Sequence, residues 1–438
     1  MAPAQPSYLI VGAGIFGAST ALHLKAAKPE ARVTLLDRTP YPCPYGASFD
    51  LNKIVRDYYT DKFYMRLANE AQQEWRNGDM WKSFYHETGL FVADDTGMGR
   101  RIIQNYRDLH MDHSSEMIPP EEVGKRWNEV YKGADLNGVE EIFWNAGCGW
   151  ADAAGALQHT VETAVESGVA YKEGEMASLL LDDSKTCHGL RLKDETELRA
   201  DQTLLCTGAH TAKLLADSAP QWKELQINER MIATGVVAAY VRLTSQQMER
   251  FKGMPIYVGA MPDVKGGLLA PTPDGLMKIA RDESFSHYVQ HEASNQKISI
   301  PPESRSQTVW GQDVPQGLKD ECNEVVRRSL GEKAEGLEIE AYRLCWDAFT
   351  PDQGLIISPH SHCRNLYFAL GGSFHSWKLL PTIGSYIVQM LHGELEPGKA
   401  EKWAWDRVSE DGAHGKLQPK RDLVDIPGYS ELMQQVSA

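Results

Sequence analysis

The chain has 438 residues, ample for more than one domain and a large core. A formal net charge of −15 argues against nucleic acid or an anionic membrane as partner, and no apolar run approaches membrane-spanning length. Seven scattered cysteines, odd in number and without a CxxC pair, provide neither a disulfide framework nor a zinc site and fit a reducing compartment.

The first six residues lack the basic-then-apolar pattern of a secretory signal, and Gln435 to Ala438 is not a Ser-Lys-Leu ending. The cytoplasm is therefore the expected location, with the peroxisome as the alternative. Tyr8-Leu9-Ile10-Val11 then reads as a short strand running into Gly12-Ala13-Gly14-Ile15-Phe16-Gly17. A helical stretch follows to about residue 27, and residues 32–37 form a second strand ending in the carboxylate of Asp37. This is the strand–turn–helix–strand order of a dinucleotide site. Gly12 permits the turn, Gly14 lets the backbone approach a pyrophosphate, and Gly17 lets helix and strand pack closely. The helix N-terminus offers N–H groups and a positive dipole end to phosphates, and Asp37 can accept hydrogen bonds from ribose hydroxyls. An ADP-bearing cofactor is expected. The motif leaves FAD and NAD open, and the acid disfavours the 2′-phosphate of NADP.

Residues 53–75 read as helical, with Phe63, Leu67, Ala71 and Trp75 recurring every fourth residue, and 151–167 as a clearer helix stopped by Gly168. Short β-runs follow at 169–171, 178–181, 189–192 and 203–206, the last closing on Thr207-Gly208-Ala209, small residues that let a backbone come near a ligand. From about 231 to 281 the pattern changes to strands separated by Gly, Pro and Asp turns, at 236–243, 256–258, 268–270 and 277–280. That is an antiparallel sheet and a second domain. Residues 298–312 read as loop and 318–330 as helix. Strand character returns at 339–346, 355–357 and 365–370, ending at Gly371-Gly372, before a helix over 382–391 and a charged tail.

Four segments, in this order, together resemble one family. They are the Gly12–Gly17 turn with Asp37; Asn52-Lys53-Ile54-Val55-Arg56-Asp57-Tyr58-Tyr59; Arg343-Leu344-Cys345-Trp346-Asp347-Ala348-Phe349-Thr350-Pro351-Asp352; and Gly371-Gly372-Ser373-Phe374-His375-Ser376-Trp377-Lys378-Leu379-Leu380-Pro381. The family is that of the flavin-dependent amine oxidases typified by monomeric sarcosine oxidase, saccharopine or pipecolate oxidase, and fructosyl amino acid oxidase. The resemblance implies an α/β (α+β) fold, a glutathione-reductase-type Rossmann FAD domain interleaved with an antiparallel β-rich substrate domain. The expected division is 1–85, 145–228 and 335–400 for FAD, 86–144 and 229–334 for substrate, and a tail from 401 to 438. It also implies a monomer acting on a small amino acid and O2.

In this family a secondary amine of an amino acid passes a hydride to flavin N5, the imine hydrolyses and O2 is reduced to hydrogen peroxide. The resemblance implies that Cys345 carries FAD as a thioether to its 8α-methyl carbon, with Arg343 placed to favour the thiolate. Without that context Cys345 would read as a buried structural cysteine. Arg56 and Lys378 match the two carboxylate binders, one a bidentate fork and one a point charge. Lys278 takes the place of the oxygen-activating lysine, where a fixed cation stabilises charge developing on O2, and Lys53 is a second candidate. Taken alone, Lys278 would read as an exposed residue on an edge strand. His375 matches a histidine beside the flavin. The cofactor set expected on this basis is Gly12, Gly14, Ile15, Phe16, Gly17, Asp37, Arg38, Ser48, Asn52, Lys53, Gly208, Ala209, Cys345, Gly372, Ser373, His375, Ser376 and Lys378, with no metal.

Two positions depart from the sarcosine-type pattern, which has glycine where this chain has Phe374 and Ser376. Phe374 adds an aromatic wall near substrate or flavin, so the pocket is expected to differ in shape. Arg56 sides with the sarcosine, pipecolate and saccharopine members, because the fructosyl amino acid oxidases share Asn-Lys here but lack an arginine three residues on. A fructosyl amino acid oxidase is the nearest alternative function, and an NAD-dependent dehydrogenase is the alternative of another class.

Overall fold

A computed structural model describes residues 6–261, 264–302, 311–407 and 419–437. Short apolar strands alternating with helices dictate a parallel sheet covered on its faces. Its strands lie in the order Ile356–Pro359, Leu366–Leu370, Gln202–Leu205, Ser7–Val11, Arg32–Asp37, Ala170–Glu173. Every pair is parallel except the outermost, Ile356–Pro359 against Leu366–Leu370. Helix Ile15–Ala27 leaves the Gly12–Gly14 turn and packs against helix Ile383–Leu391. The two backbones nearly touch at Gly384, where a Cβ would lie 2.1 Å from the Ser19 carbonyl oxygen.

The second sheet has eight strands, in the order Ile339–Phe349, Ile232–Arg242, Leu276–Phe285, Val264–Leu268, Ile256–Met261, Leu90–Ala93, Ile142–Asn145, Ser115–Ile118. It is antiparallel apart from Ile256–Met261 beside Leu90–Ala93. The period of two along its first three strands decides where the chemistry sits. Val237, Ala239, Val241, Met277 and Ile279 face a hydrophobic core closed by helix Gln316–Leu330, with Leu344 and Trp346 against it. The intervening Tyr240, Lys278, Arg343, Cys345 and Asp347 belong to the opposite face.

The expected architecture is the one observed, and one expected element is corrected. Residues 53–55 are not helical: they belong to strand Asn52–Val55, paired antiparallel with Gly149–Asp152. The helix begins at Lys62, because the Asp61 carboxylate caps it by accepting the Phe63 N–H at 2.7 Å. Leu67, Ala71 and Trp75 are buried along it as their spacing predicts. Strand Gln296–Ser299 and part of the stretch expected as loop are described; residues 303–310 of that stretch lie outside the described residues.

Candidate active site

Three groups of predicted residues assemble at the carboxyl ends of the parallel strands, where ligands of open α/β sheets bind. The first is the dinucleotide cradle. Gly12 has φ +100°, and a Cβ there would lie 2.4 Å from the Cys206 carbonyl oxygen; a Cβ on Gly17 would lie 1.9 Å from that of Gly12. Asp37 accepts the Ala13 N–H at 2.7 Å and the Arg38 N–H at 2.7 Å. Ser48 Oγ accepts the Ile15 N–H at the start of the helix, 3.0 Å away. Ile15 and Phe16 are buried, as is Ala209, while Gly208 has φ +50° and open space where a Cβ would stand. The Arg38 guanidinium is exposed, 3.4 Å from His210 Nε2.

The second group surrounds Asp50, a residue that no motif marked. Asp50 Oδ2 lies 2.5 Å from Lys278 Nζ and 3.0 Å from Lys53 Nζ, and Tyr240 donates its hydroxyl to Oδ1 at 3.0 Å. Arg343 Nη1 stands 3.8 Å away, and its Nη2 donates to the Gly46 carbonyl at 2.8 Å, latching the loop that carries Ser48 and Asp50. Burial alone would raise the Asp50 pKa, but Lys278, Lys53 and Arg343 together hold the carboxyl well below the usual range. Burial pushes the Lys278 ammonium down in spite of Asp50; for Lys53 burial is outweighed by Asp50, and its pKa rises. Lys278 is not on an edge strand: Leu276–Phe285 lies between two neighbours and the side chain is buried. Cys345 is buried within electrostatic reach of Lys53 and Arg343.

The third group is built on Tyr59. The Arg56 guanidinium carbon lies 4.6 Å from its ring centroid and 4.4 Å from that of Tyr58, and Lys378 Nζ lies 4.9 Å from the Tyr59 centroid. Arg56 donates to the Tyr58 carbonyl and Lys378 to the His375 carbonyl. Among the described residues neither cation ion-pairs with a carboxylate. Burial, and then the nearby Arg56 charge, push the Lys378 ammonium well below its ordinary pKa. His375 Nε2 donates to the Gln353 carbonyl at 2.8 Å, which leaves Nδ1 to accept the Tyr59 hydroxyl at 2.9 Å.

The segment from Gly372 to Ser376 joins these groups. Asp347, from the same strand as Cys345, accepts the Ala348 and Phe374 N–H groups, each at 2.8 Å, and a Cβ on Gly372 would lie 2.8 Å from its carboxylate. Ser373 and Phe374 take φ of +46° and +61°, and the Phe374 ring is 39% exposed, 6.1 Å from that of Phe349. Ser376 Oγ donates to the Gly372 carbonyl at 2.8 Å, and Trp377 Nε1 to that of Ser48 at 3.0 Å.

The cradle and the fold define an FAD-linked oxidoreductase. Residues 7–390 match the FAD dependent oxidoreductase (DAO) family, and the chain belongs to that family. It is 28% identical over 438 residues to the L-saccharopine oxidase of Schizosaccharomyces pombe, covering 95% of this chain and 96% of that protein. It is 25% identical over 396 residues to the peroxisomal sarcosine oxidase of Homo sapiens, covering 87% and 91%. The crystal structure of a thermally stable mutant of fructosyl peptide oxidase shares the fold with a TM-score of 0.83 at 26% identity, over 97% of this chain and 99% of that one. The NAD-dependent alternative falls away.

The residues present fit the flavin. Asn52 is fully buried, yet neither its Oδ1 nor its Nδ2 has a hydrogen-bond partner. A buried amide is costly unless something completes it, and the hydrogen-bonding edge of an isoalloxazine is such a group. Sequence reasoning missed Asp50, Tyr240, Asp347 and Gln353. The strand alternation that places Tyr240 and Asp347 was readable; Asp50 and Gln353 lie in loops whose path no local pattern fixes.

Proposed function

We propose that this protein is an FAD-dependent oxidase of N-substituted α-amino acids of the sarcosine, N-methyl amino acid, pipecolate or saccharopine type. One observation carries this reading: the half-buried Arg56 and the buried Lys378 share the Tyr59 ring and have no carboxylate partner among the described residues. Buried charges are paired in folded proteins, and a substrate carboxylate is the missing partner. Arg56 grips it through its fork and Lys378 adds a point charge. With the carboxylate held, the carbon next to nitrogen is fixed in place, and Phe374 walls the mouth of the site. The positive surroundings favour the neutral form of the amine, so no strong base is needed.

Bound FAD supplies the hydride acceptor and the electrons for O2. Over one turnover the amine gives up two electrons and two protons, water hydrolyses the resulting imine, and O2 takes up two electrons and two protons as hydrogen peroxide. Lys278, with Lys53 beside it, supplies fixed positive charge for that reduction. His375, held between Tyr59 and Gln353, tunes the flavin environment. Cys345 tethers the cofactor through a thioether, a reading supported by its place beside Lys53 and Arg343. The cofactor contacts are those of the cradle together with Asn52 and the segment from Gly372 to Lys378.

We assign 1–85, 145–228 and 335–400 to FAD and 86–144 and 229–334 to substrate; the parallel sheet supports the first and most of the eight-stranded sheet the second, with Ile339–Phe349 of the FAD part forming an edge strand of that sheet. We place the enzyme in the cytoplasm as a monomer. The seven free cysteines support the first, and kinship with monomeric sarcosine oxidase supports the second. Among the described residues no helix is long and apolar enough to cross a membrane.

A fructosyl amino acid is the second reading, favoured by the whole-chain likeness to fructosyl peptide oxidase. Anaerobic mixing decides between them. The yellow protein should bleach with at least one of sarcosine, an N-methyl amino acid, L-pipecolate or saccharopine, then regain colour with O2 and release peroxide. Bleaching by fructosyl-valine alone would establish the second reading, and bleaching by none of them would refute both.

A further inference from the structure

Three cations from three separate segments converge on one carboxylate. Lys278 comes from Leu276–Phe285, Lys53 from Asn52–Val55 and Arg343 from Ile339–Phe349, and all three reach the same oxygen of Asp50, whose side chain is 2% exposed. A buried ammonium without a counter-ion gives up its proton rather than its solvation. Lys278 Nζ has two hydrogen-bond acceptors, the Asp50 carboxylate and the Asn52 carbonyl at 3.2 Å. The second of these belongs to the residue whose side-chain amide is buried and unpartnered. Asp50 therefore holds Nζ beside a residue whose buried side-chain amide has no hydrogen-bond partner.

We propose that Asp50 is a positioning residue that keeps the Lys278 ammonium charged and directed at the site of O2 reduction, so that reaction with O2 stays insensitive to pH through the neutral range. This rests on the reading of Lys278 given above.

The other groups facing Lys278 leave that task to Asp50. Lys53 and Arg343 are cations and work against a third positive charge. Tyr240 donates its hydroxyl to Asp50 itself, Cys345 lies within electrostatic reach without a hydrogen bond to Nζ, and Asp282, four residues on along the same strand, is within electrostatic reach but makes no ion pair with Lys278, and desolvation pushes its carboxyl up. Three cations against one anion leave two net positive charges in the cluster, so Asp50 offsets part of the charge and leaves the rest for a reduced oxygen species.

The test separates the two halves of the reaction in the Asp50→Asn holoenzyme, from about pH 6 to about pH 9. Reoxidation by O2 should fall about tenfold for each pH unit above the lowered ammonium pKa and recover on acidification. Anaerobic reduction by substrate should change far less, and the wild-type reoxidation rate should be flat. Asp50→Glu should restore part of the flat profile.

A readout independent of turnover is thermal unfolding of the holoenzyme without substrate. In Asp50→Asn the folded Lys278 binds its proton less tightly than the unfolded one. Its Tm should then rise with pH relative to wild type, and the double variant Asp50→Asn/Lys278→Met should lose that rise. If Asp50→Asn does not fold, Asp50→Glu carries the kinetic test and should slow reoxidation more than reduction. A reoxidation profile in Asp50→Asn as flat as wild type, or equal slowing of both halves at every pH in either single variant, would overturn the proposal. Lys278→Met distinguishes the causes. Wild-type reoxidation in that variant refutes the role of the lysine itself; slow reoxidation there, with a flat Asp50→Asn profile, refutes only the role of Asp50.

Discussion

Replacing Arg56 by Met should damage binding and spare the fold, an uncommon combination for a half-buried arginine. In the free protein Arg56 and Lys378 both lie against the Tyr59 ring, and neither ion-pairs with a carboxylate among the described residues. Met keeps most of the side-chain volume. The losses are two cation–π contacts, at 4.4 and 4.6 Å, and a hydrogen bond to the Tyr58 carbonyl. Against them stands the end of like-charge repulsion on Lys378 and of the burial cost of one guanidinium. These terms are each about 1 kcal/mol and opposed, so Tm should move by no more than about 3 °C. Binding has no such cancellation. A charge-assisted hydrogen bond is worth about 1.5–3 kcal/mol, so KM should rise roughly 10- to 150-fold with a smaller change in kcat. The pH dependence adds a sign. Substrate binding needs the Lys378 ammonium, so KM climbs as pH passes its lowered pKa, and removing the Arg56 charge lets that pKa recover upward. The climb should then begin at a higher pH in the variant. Steady-state kinetics with a peroxide readout and differential scanning calorimetry measure all three. An unchanged KM would show that the carboxylate binds elsewhere, and a Tm loss above about 10 °C would make Arg56 a structural residue.

Acid-precipitated, washed wild-type protein should stay yellow, whereas Cys345→Ser should release all its flavin to the supernatant; a colourless wild-type pellet removes the thioether. Gly17→Ala drives a methyl to 1.9 Å from the Gly12 carbonyl oxygen, a backbone atom with nowhere to go. It should cost at least about 3 kcal/mol and most of the bound FAD, read by calorimetry and by the flavin-to-protein absorbance ratio. A stable, fully yellow Gly17→Ala would refute the close packing. Phe374→Gly relieves a positive φ and opens the mouth of the site, so stability should hold or rise while kcat/KM shifts toward bulkier N-substituents. An unchanged substrate ranking would place Phe374 away from the substrate.

How much of this was legible depended on whether a residue's place is fixed locally. The cradle was, because Gly12, Gly14 and Gly17 each answer a steric demand within one turn and one helix. The four-residue spacing of Phe63 to Trp75 was legible as helix, but Lys53 to Val55 was absorbed into it. Nothing in 53–55 announces that Gly149–Asp152, about a hundred residues away, will pair with it. Lys278 between Met277 and Ile279 displayed the alternation that turns it away from the apolar core, though not that the strand lies inside its sheet. Asp50 carried no signal at all, because its role comes from three chain segments meeting at one loop.

The two cation sets differ in a way that separates scaffold from binding site. Around Asp50 the positive charges meet a carboxylate supplied by the chain, so their positions are fixed before anything binds and their charge is a permanent part of the field. Around Tyr59 no such anion stands among the described residues, and Arg56 and Lys378 are held by a ring face and by carbonyl oxygens, partners too weak to keep the Lys378 ammonium at its ordinary pKa. A fold that retains such a pair loses stability in the free state and recovers it on binding. That makes the clamp selective in principle: a ligand lacking a carboxylate leaves the cost in place, while one bearing a carboxylate removes it in the same step that fixes the reacting carbon.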